Sequence, residues 1–231
     1  MIVDERIITF INSLDTKNSE ILEDIEREAL ADNVPIIRRE MQSFLKVLLM
    51  GKKPMRVLEV GTAVGFSALL MSEYVPEECA ITTIENYEKR IPIARQNFVR
   101  AGKEKKITLL EGDAMDVLKT LEGPYDFIFM DAAKGQYIHY LPEILRLLAK
   151  GGILVSDNVM QDGDVIESRF AVERRDRTIH ARMREYLYEL KHNPLLVTSV
   201  LPVGDGVAVS VKVSPDGDGT GKRPDQEENG K

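Results

Sequence analysis

Short apolar runs alternate with longer amphipathic stretches along most of the chain. Residues 55–60 (MRVLEV) follow Pro54 and precede a glycine, and an apolar run bounded by such breakers predicts a buried strand. Residues 80–84, 107–110, 125–130 and 153–156 read the same way. Between them, residues 62–74, 87–101, 114–121 and 137–149 carry helical spacing, with Gly102 and Gly151-Gly152 as stops. Short strands separated by helices of this length are right-handed crossover units of a parallel sheet. A long polar stretch over 157–178 leads to a helix over 179–190 and two further strands, 195–201 and 207–213. The connection Pro202-Val203-Gly204-Asp205-Gly206 is too short for a crossover, so these last strands form an antiparallel hairpin. The fold class is α/β, with a seven-stranded mixed sheet, helices on both faces and an antiparallel C-terminal hairpin.

The first 54 residues read as a helical cap. Ile7, Ile8, Ile11 and Leu14 share a helical face, as do Ile21, Ile25 and Ala29, then Met41, Phe44, Leu45, Leu48 and Leu49. These faces should cover an edge of the sheet or a second copy in a homodimer. Residues 1–213 form one domain. Residues 214–231 have no apolar side chain, cannot repay the entropy of ordering and are expected to be a disordered tail.

Composition narrows the class. At 231 residues, with 43% hydrophobic and 30% charged positions, the chain is globular. Cys79 is the only cysteine, which excludes an intrachain disulfide and a cysteine-rich metal site. A net charge of -7 excludes a uniformly basic protein but not a local basic patch. Neither a cleavable leader nor a membrane-length apolar run is visible, so the expected location is cytoplasmic.

The chemistry gathers at strand ends. Glu59-Val60-Gly61-Thr62-Ala63-Val64-Gly65-Phe66-Ser67 joins the first sheet strand to its first helix, and its glycines allow a sharp turn and close ligand approach. The dinucleotide pattern GxGxxG and the phosphate-loop pattern ending in GK[ST] are both absent, which disfavours a nicotinamide oxidoreductase. Glu85 ends the second strand, where an acid grips a ribose diol, and Asp113-Ala114 follows the third. These three motifs resemble those of class I S-adenosylmethionine-dependent methyltransferases. The resemblance implies a Rossmann-like fold and S-adenosyl-L-methionine as cofactor. It would be held by Glu59, Gly61, Gly65, Ser67, Glu85, Asp113, Ala114 and Asp131, while Met41 with Phe44 would either close over it or pack the first helices.

The fourth strand ends in Asp131-Ala132-Ala133-Lys134 and the fifth in Asp157-Asn158. Two carboxylates and an amide are hard oxygen donors, which point to Mg2+, with Mn2+ or Ca2+ as substitutes. This pairing resembles the cation-dependent O-methyltransferases of the catechol and caffeoyl-CoA type, over roughly residues 35–213. The resemblance implies Asp131, Asp157 and Asn158 as metal ligands, with Lys134 and Asp131 catalytic. A binding or structural protein of the same fold has no need for these four residues together.

Two basic segments bear on the acceptor. Residues 168–184 carry Arg169, Arg174, Arg175, Arg177, Arg182 and Arg184, and residues 33–56 carry Arg38, Arg39, Lys46, Lys52, Lys53 and Arg56. Basic patches can hold a phosphate backbone even on an acidic protein. With Val34-Pro35-Ile36-Ile37-Arg38-Arg39-Glu40-Met41-Gln42-Ser43-Phe44, the arginine-rich stretch resembles a bacterial branch of the family, the tRNA 5-hydroxyuridine methyltransferases. That nearer resemblance implies a tRNA anticodon loop as partner and conversion of wobble 5-hydroxyuridine to 5-methoxyuridine. Arg38, Arg39, Lys134, Tyr137, Arg174, Arg175 and Arg177 would then contact substrate. The alternative acceptor is a small catechol or a hydroxycinnamoyl-type vicinal diol.

Overall fold

The computed structural model describes residues 2–214. The expected tail therefore lies, apart from Ser214, outside the described residues. Five strands run parallel: β1 (Arg56–Val60), β2 (Ala80–Glu85), β3 (Ile107–Glu111), β4 (Tyr125–Met130) and β5 (Leu148–Ser156). β6 (Leu196–Leu201) and β7 (Val207–Lys212) close the sheet as an antiparallel hairpin, with β7 paired to β5. The strand order is β3-β2-β1-β4-β5-β7-β6. The chain leaves β1 in one direction for β2 and β3, then returns to its other side for β4 and β5. That reversal opens a crevice at the C-terminal ends of β1 and β4, where ligands bind in doubly wound folds.

The helices are α1 (Glu5–Ser13), α2 (Glu20–Ala31), α3 (Arg39–Lys52), α4 (Phe66–Glu73), α5 (Ile91–Arg100), α6 (Ala114–Thr120), α7 (Tyr137–Leu147) and α8 (Arg177–His192). Successive strand side chains point to opposite faces, so each strand feeds two cores. Val57, Phe127, Phe129 and Val155 pack on one face with Leu22, Leu45, Leu69 and Phe98 of α2, α3, α4 and α5. Leu58, Ile128, Met130 and Leu154 pack on the other with Leu118, Ile144 and Tyr186 of α6, α7 and α8. α1 stands outside both cores: none of its residues is buried, and Ile7, Phe10, Ile11 and Leu14 are exposed. No helix of the described residues is long and apolar enough to cross a membrane.

Element ends differ from the pattern for local reasons. α4 begins at Phe66 rather than at 62, because Gly61, Ala63 and Gly65 hold positive φ and spend four residues on a tight turn. α5 begins at Ile91 because Pro92 suits the first helical turn. β5 begins at Leu148, pairing with Tyr125 before a register irregularity that absorbs the two glycines. The polar stretch after β5 contains a 3-10 turn over Gln161–Ile166, with Asp162 and Gly163 in left-handed conformation.

Candidate active site

A cavity of about 670 Å³ opens at the C-terminal ends of the central strands. Its floor begins with the β1–α4 turn. The N–H groups of Gly61 and Thr62 both donate to the Ile84 carbonyl at 3.1 Å, and Asp131 N–H donates to the Val60 carbonyl at 3.0 Å. At φ +104°, Gly61 brings its backbone against the Asp131 loop, and a Cβ there would run into the Asp131 carbonyl oxygen. Gly61, Ser67, Glu85, Ala114, Asp131 and Met41 all line the cavity, with buried Met41 reaching in from α3.

The expected cofactor ligands divide in the structure. Glu59 is fully buried beneath the turn and does not line the cavity. Its carboxyl sits 2.5 Å from the hydroxyls of Ser67 and Thr83, and Thr83 in turn meets Thr62. Burial pushes the Glu59 carboxyl up to about 8, so it is mostly protonated at neutral pH. It braces the turn from below rather than meeting a ligand. Gly65 caps the N-terminus of α4 and backs onto Phe98, also outside the cavity. Asp113 is exposed and caps α6 by accepting the Met115 N–H at 2.9 Å, leaving Gly112 and Ala114 to face inward. Glu85 lines the cavity and accepts three backbone N–H groups, from Ala63 (2.8 Å), Asn86 (3.0 Å) and Tyr87 (2.8 Å).

Asp131, Lys134, Asp157 and Asn158 line the other end of the same cavity. Lys134 Nζ donates to Asp131 Oδ1 at 2.6 Å and lies 3.3 Å from the Tyr137 hydroxyl. Asp157 is buried, and its Oδ1 accepts the Asn158 N–H at 2.7 Å. Burial, and then the charge of Asp131, raise the Asp157 carboxyl to about 7. Tyr137, expected to contact substrate, is instead fully buried and outside the cavity. Its hydroxyl faces the carbonyls of Met130 (3.0 Å) and Asp157 (3.2 Å), so it underpins the loops that follow β4 and β5.

The three residues expected to ligate a metal, Asp131, Asp157 and Asn158, come together at one end of the cavity as two acids and an amide. Among the described residues, no group of three or more His, Cys, Asp or Glu side chains could hold a metal ion. Two of the three expected ligands have protein partners, Asp131 with Lys134 and Asn158 with Asp205. The reading of the two basic segments as tRNA contacts is corrected. Of its arginines only Arg38 lines the cavity, and it pairs with Asp205 at 2.7 Å and Asp162 at 3.3 Å. Arg39 pairs with Glu23 and Glu26 of α2. Arg175 pairs with Glu173 and Asp176, Arg177 donates to the Val172 carbonyl, and Arg174 is exposed away from the cavity lining.

Several lining residues escaped the sequence reading: Tyr87, Arg90, Tyr140, Gln161, Gly204 and Asp205. Tyr87 and Arg90 follow Glu85 by two and five positions, and the guanidinium lies 5.3 Å from the Tyr87 ring centroid. Asp205 carried a signal in its Gly-Asp-Gly hairpin tip, which the sequence left as a turn.

Comparison with known proteins agrees with this layout. A family model described as O-methyltransferase matches residues 12–213. A catechol O-methyltransferase of Niastella koreensis is 35% identical over 128 residues, covering 54% of this chain and 58% of that protein. The caffeoyl-CoA O-methyltransferase 2 of Populus trichocarpa is 30% identical over 195 residues, covering 78% of this chain and 76% of its own. The crystal structure of an SAH-bound methyltransferase from Podospora anserina superposes with a TM-score of 0.81 at 28% identity, covering 91% of this chain and 95% of its own. The two sequence relatives are named for catechol and caffeoyl-CoA, and neither name refers to tRNA. The nearer resemblance to tRNA 5-hydroxyuridine methyltransferases is thereby overturned, together with the anticodon-loop partner, and the internally paired arginines give the physical reason. The α/β fold, the cavity at its topological switch point and the match over residues 12–213 agree: the chain belongs to the O-methyltransferase family.

Proposed function

We propose that this protein transfers the methyl group of S-adenosylmethionine to a hydroxyl of a small phenolic acceptor with adjacent oxygens, a catechol or a hydroxycinnamoyl thioester. One observation carries the reading. A single cavity holds the β1–α4 turn with Glu85 at one end and the Asp131–Lys134 pair with Asp157 and Asn158 at the other. The names of the relatives supply the acceptor class.

The residues divide the work. The Gly61 turn gives the cofactor a close backbone approach, and Glu85, fixed by three N–H donors, faces the ribose. Met41 and residues 35–37 roof the cavity and exclude water from the sulfonium. Lys134 meets the acceptor hydroxyl. As the neutral amine it takes the proton, and as the ammonium beside Asp131 it holds the oxyanion. The oxygen–methyl bond forms as the sulfur–methyl bond breaks, leaving S-adenosylhomocysteine. Holding the two reactants in contact supplies much of the rate.

A divalent cation is the finer part of this reading. Asp131, Asp157 and Asn158 would hold it, and the donor chemistry fits: oxygen only, with two acids close enough that one raises the other. When bound, it would supply acidification of a chelated hydroxyl.

The test is incubation with radiolabelled S-adenosylmethionine and catechol, caffeoyl-CoA or a monophenol, each with and without a chelator. Label in the two diols and not in the monophenol is expected. Cofactor binding without label in either diol would overturn the acceptor class.

A further inference from the structure

We infer that Asp205 is a positioning residue for methyl transfer, because it fixes which end of the Asn158 side-chain amide faces the cavity. Asp205 sits at the tip of the β6–β7 hairpin between Gly204 and Gly206, both at positive φ. Backbone bonds dock that tip on the chain leaving β5: Val159 N–H donates to the Gly206 carbonyl and Met160 N–H to the Asp205 carbonyl, each at 2.9 Å. A Cβ at position 206 would strike Met160, so the approach is available to glycine alone.

The side chain is 13% exposed. Its Oδ2 accepts from Asn158 Nδ2 at 3.2 Å and from Arg38 Nη2 at 2.9 Å. Oδ2 is the accepting atom in both contacts, and an amide has one donating and one accepting end. With its nitrogen committed to Asp205, Asn158 turns Oδ1 the other way as an acceptor. The backbone of Asn158 is fixed as well, at φ 54° and with its N–H on Asp157 Oδ1. Without Asp205 the amide can flip and donate to the neighbouring carboxylates, and the cavity loses that acceptor. Arg38 enters through the same carboxylate and reaches Asp162 at 3.3 Å, which draws the Pro35–Ile37 roof toward the hairpin.

The use made of the Asn158 oxygen rests on the methyl-transfer reading, whereas its orientation does not, so the test has two arms. The first follows the Asn158 side-chain N–H₂ signals by NMR, assigned by their loss in Asn158→Ala. In the wild type, one proton should be shifted downfield and exchange slowly. Asp205→Ala should return it to the position of a solvated amide, and Asp205→Asn should keep part of the shift.

The second arm uses catechol methylation, with far-UV circular dichroism confirming the fold of each variant. Asp205→Ala should lower kcat/KM by about 10–100-fold, the scale of a lost hydrogen bond to a charged group. Affinity for S-adenosylhomocysteine should stay within about 3-fold, and Asp205→Ala added to Asn158→Ala should cost less than about 3-fold more, as coupled residues require. Asp205→Asn should recover part of the loss. An Asn158 amide signal unmoved by Asp205→Ala, or fully additive losses, would overturn the inference. A wild type that ignores catechol would sink the acceptor reading, while the amide signal would still decide the role of Asp205.

Discussion

Replacing Glu59 with Gln should flatten the pH dependence of stability on the alkaline side. Glu59 is fully buried and its carboxyl is raised from 4.5 to about 8 by that burial. The folded state therefore binds a proton that the unfolded state has released. Stability contributed by this group is complete below about pH 4.5 and falls as pH rises, levelling off only above the folded value. Between pH 6 and pH 9 the linkage relation gives a loss of about 3 kcal/mol for the wild type. Glutamine keeps the shape and, like the neutral acid, offers one donating and one accepting end to Ser67 and Thr83. It has no proton to lose. Asp157, raised to about 7, adds a slope of the same sign, but it does so in both proteins and cancels in the comparison. Urea unfolding of both proteins at pH 6, 7.5 and 9 measures the effect. The stability gap in favour of Glu59→Gln should widen by about 3 kcal/mol from pH 6 to pH 9. Parallel pH profiles would refute the buried, protonated carboxyl.

Three further changes separate the parts of the site. Gly61→Ala forces a side chain into the Asp131 carbonyl at φ +104° and should cost about 2–4 kcal/mol in thermal or urea unfolding, with methyl transfer lost as the loop is displaced. Glu85→Ala leaves the N–H groups of Ala63, Asn86 and Tyr87 without their acceptor. Calorimetry should show S-adenosylhomocysteine affinity falling about 10–100-fold, with acceptor KM little changed. Tyr186→Phe removes a buried 2.6 Å hydrogen bond to Ser156 on the core side of β5. It should cost about 1–3 kcal/mol of stability and leave kcat near the wild-type value.

The strand-and-helix alternation carried the fold, because both periodicities are local and most strands have a Gly or Pro at one end. Tyr125–Met130 coincides with β4 for that reason. The turn at Gly61–Gly65 was half legible: its two glycines signalled a sharp turn, but nothing announced the positive φ of Ala63 or the start of α4 as late as Phe66. At the site, position relative to a strand end placed Glu85, Asp131, Lys134, Asp157 and Asn158 on one cavity. Burial decided the rest. Glu59 and Tyr137 have the side chains of ligand contacts, yet the fold buries both completely. The arginines misled because charge runs say nothing about pairing. Arg39 meets Glu23 and Glu26 from a helix earlier in the chain, and Arg38 meets Asp205 across 167 positions.

Methyl transfer itself is tested most directly by one comparison. Wild type and Lys134→Met are mixed with S-adenosylmethionine and catechol under single-turnover conditions, and the methylated product is followed by mass spectrometry. S-adenosylhomocysteine affinity is measured alongside. Wild type should form the monomethyl ether. Lys134→Met should bind the cofactor equally well but form product about 10²–10⁴-fold more slowly, the range for a lost general acid–base group. Equal rates in the two proteins, or no methyl ether from a wild type that binds the cofactor, would contradict Lys134 as the group that meets the acceptor hydroxyl.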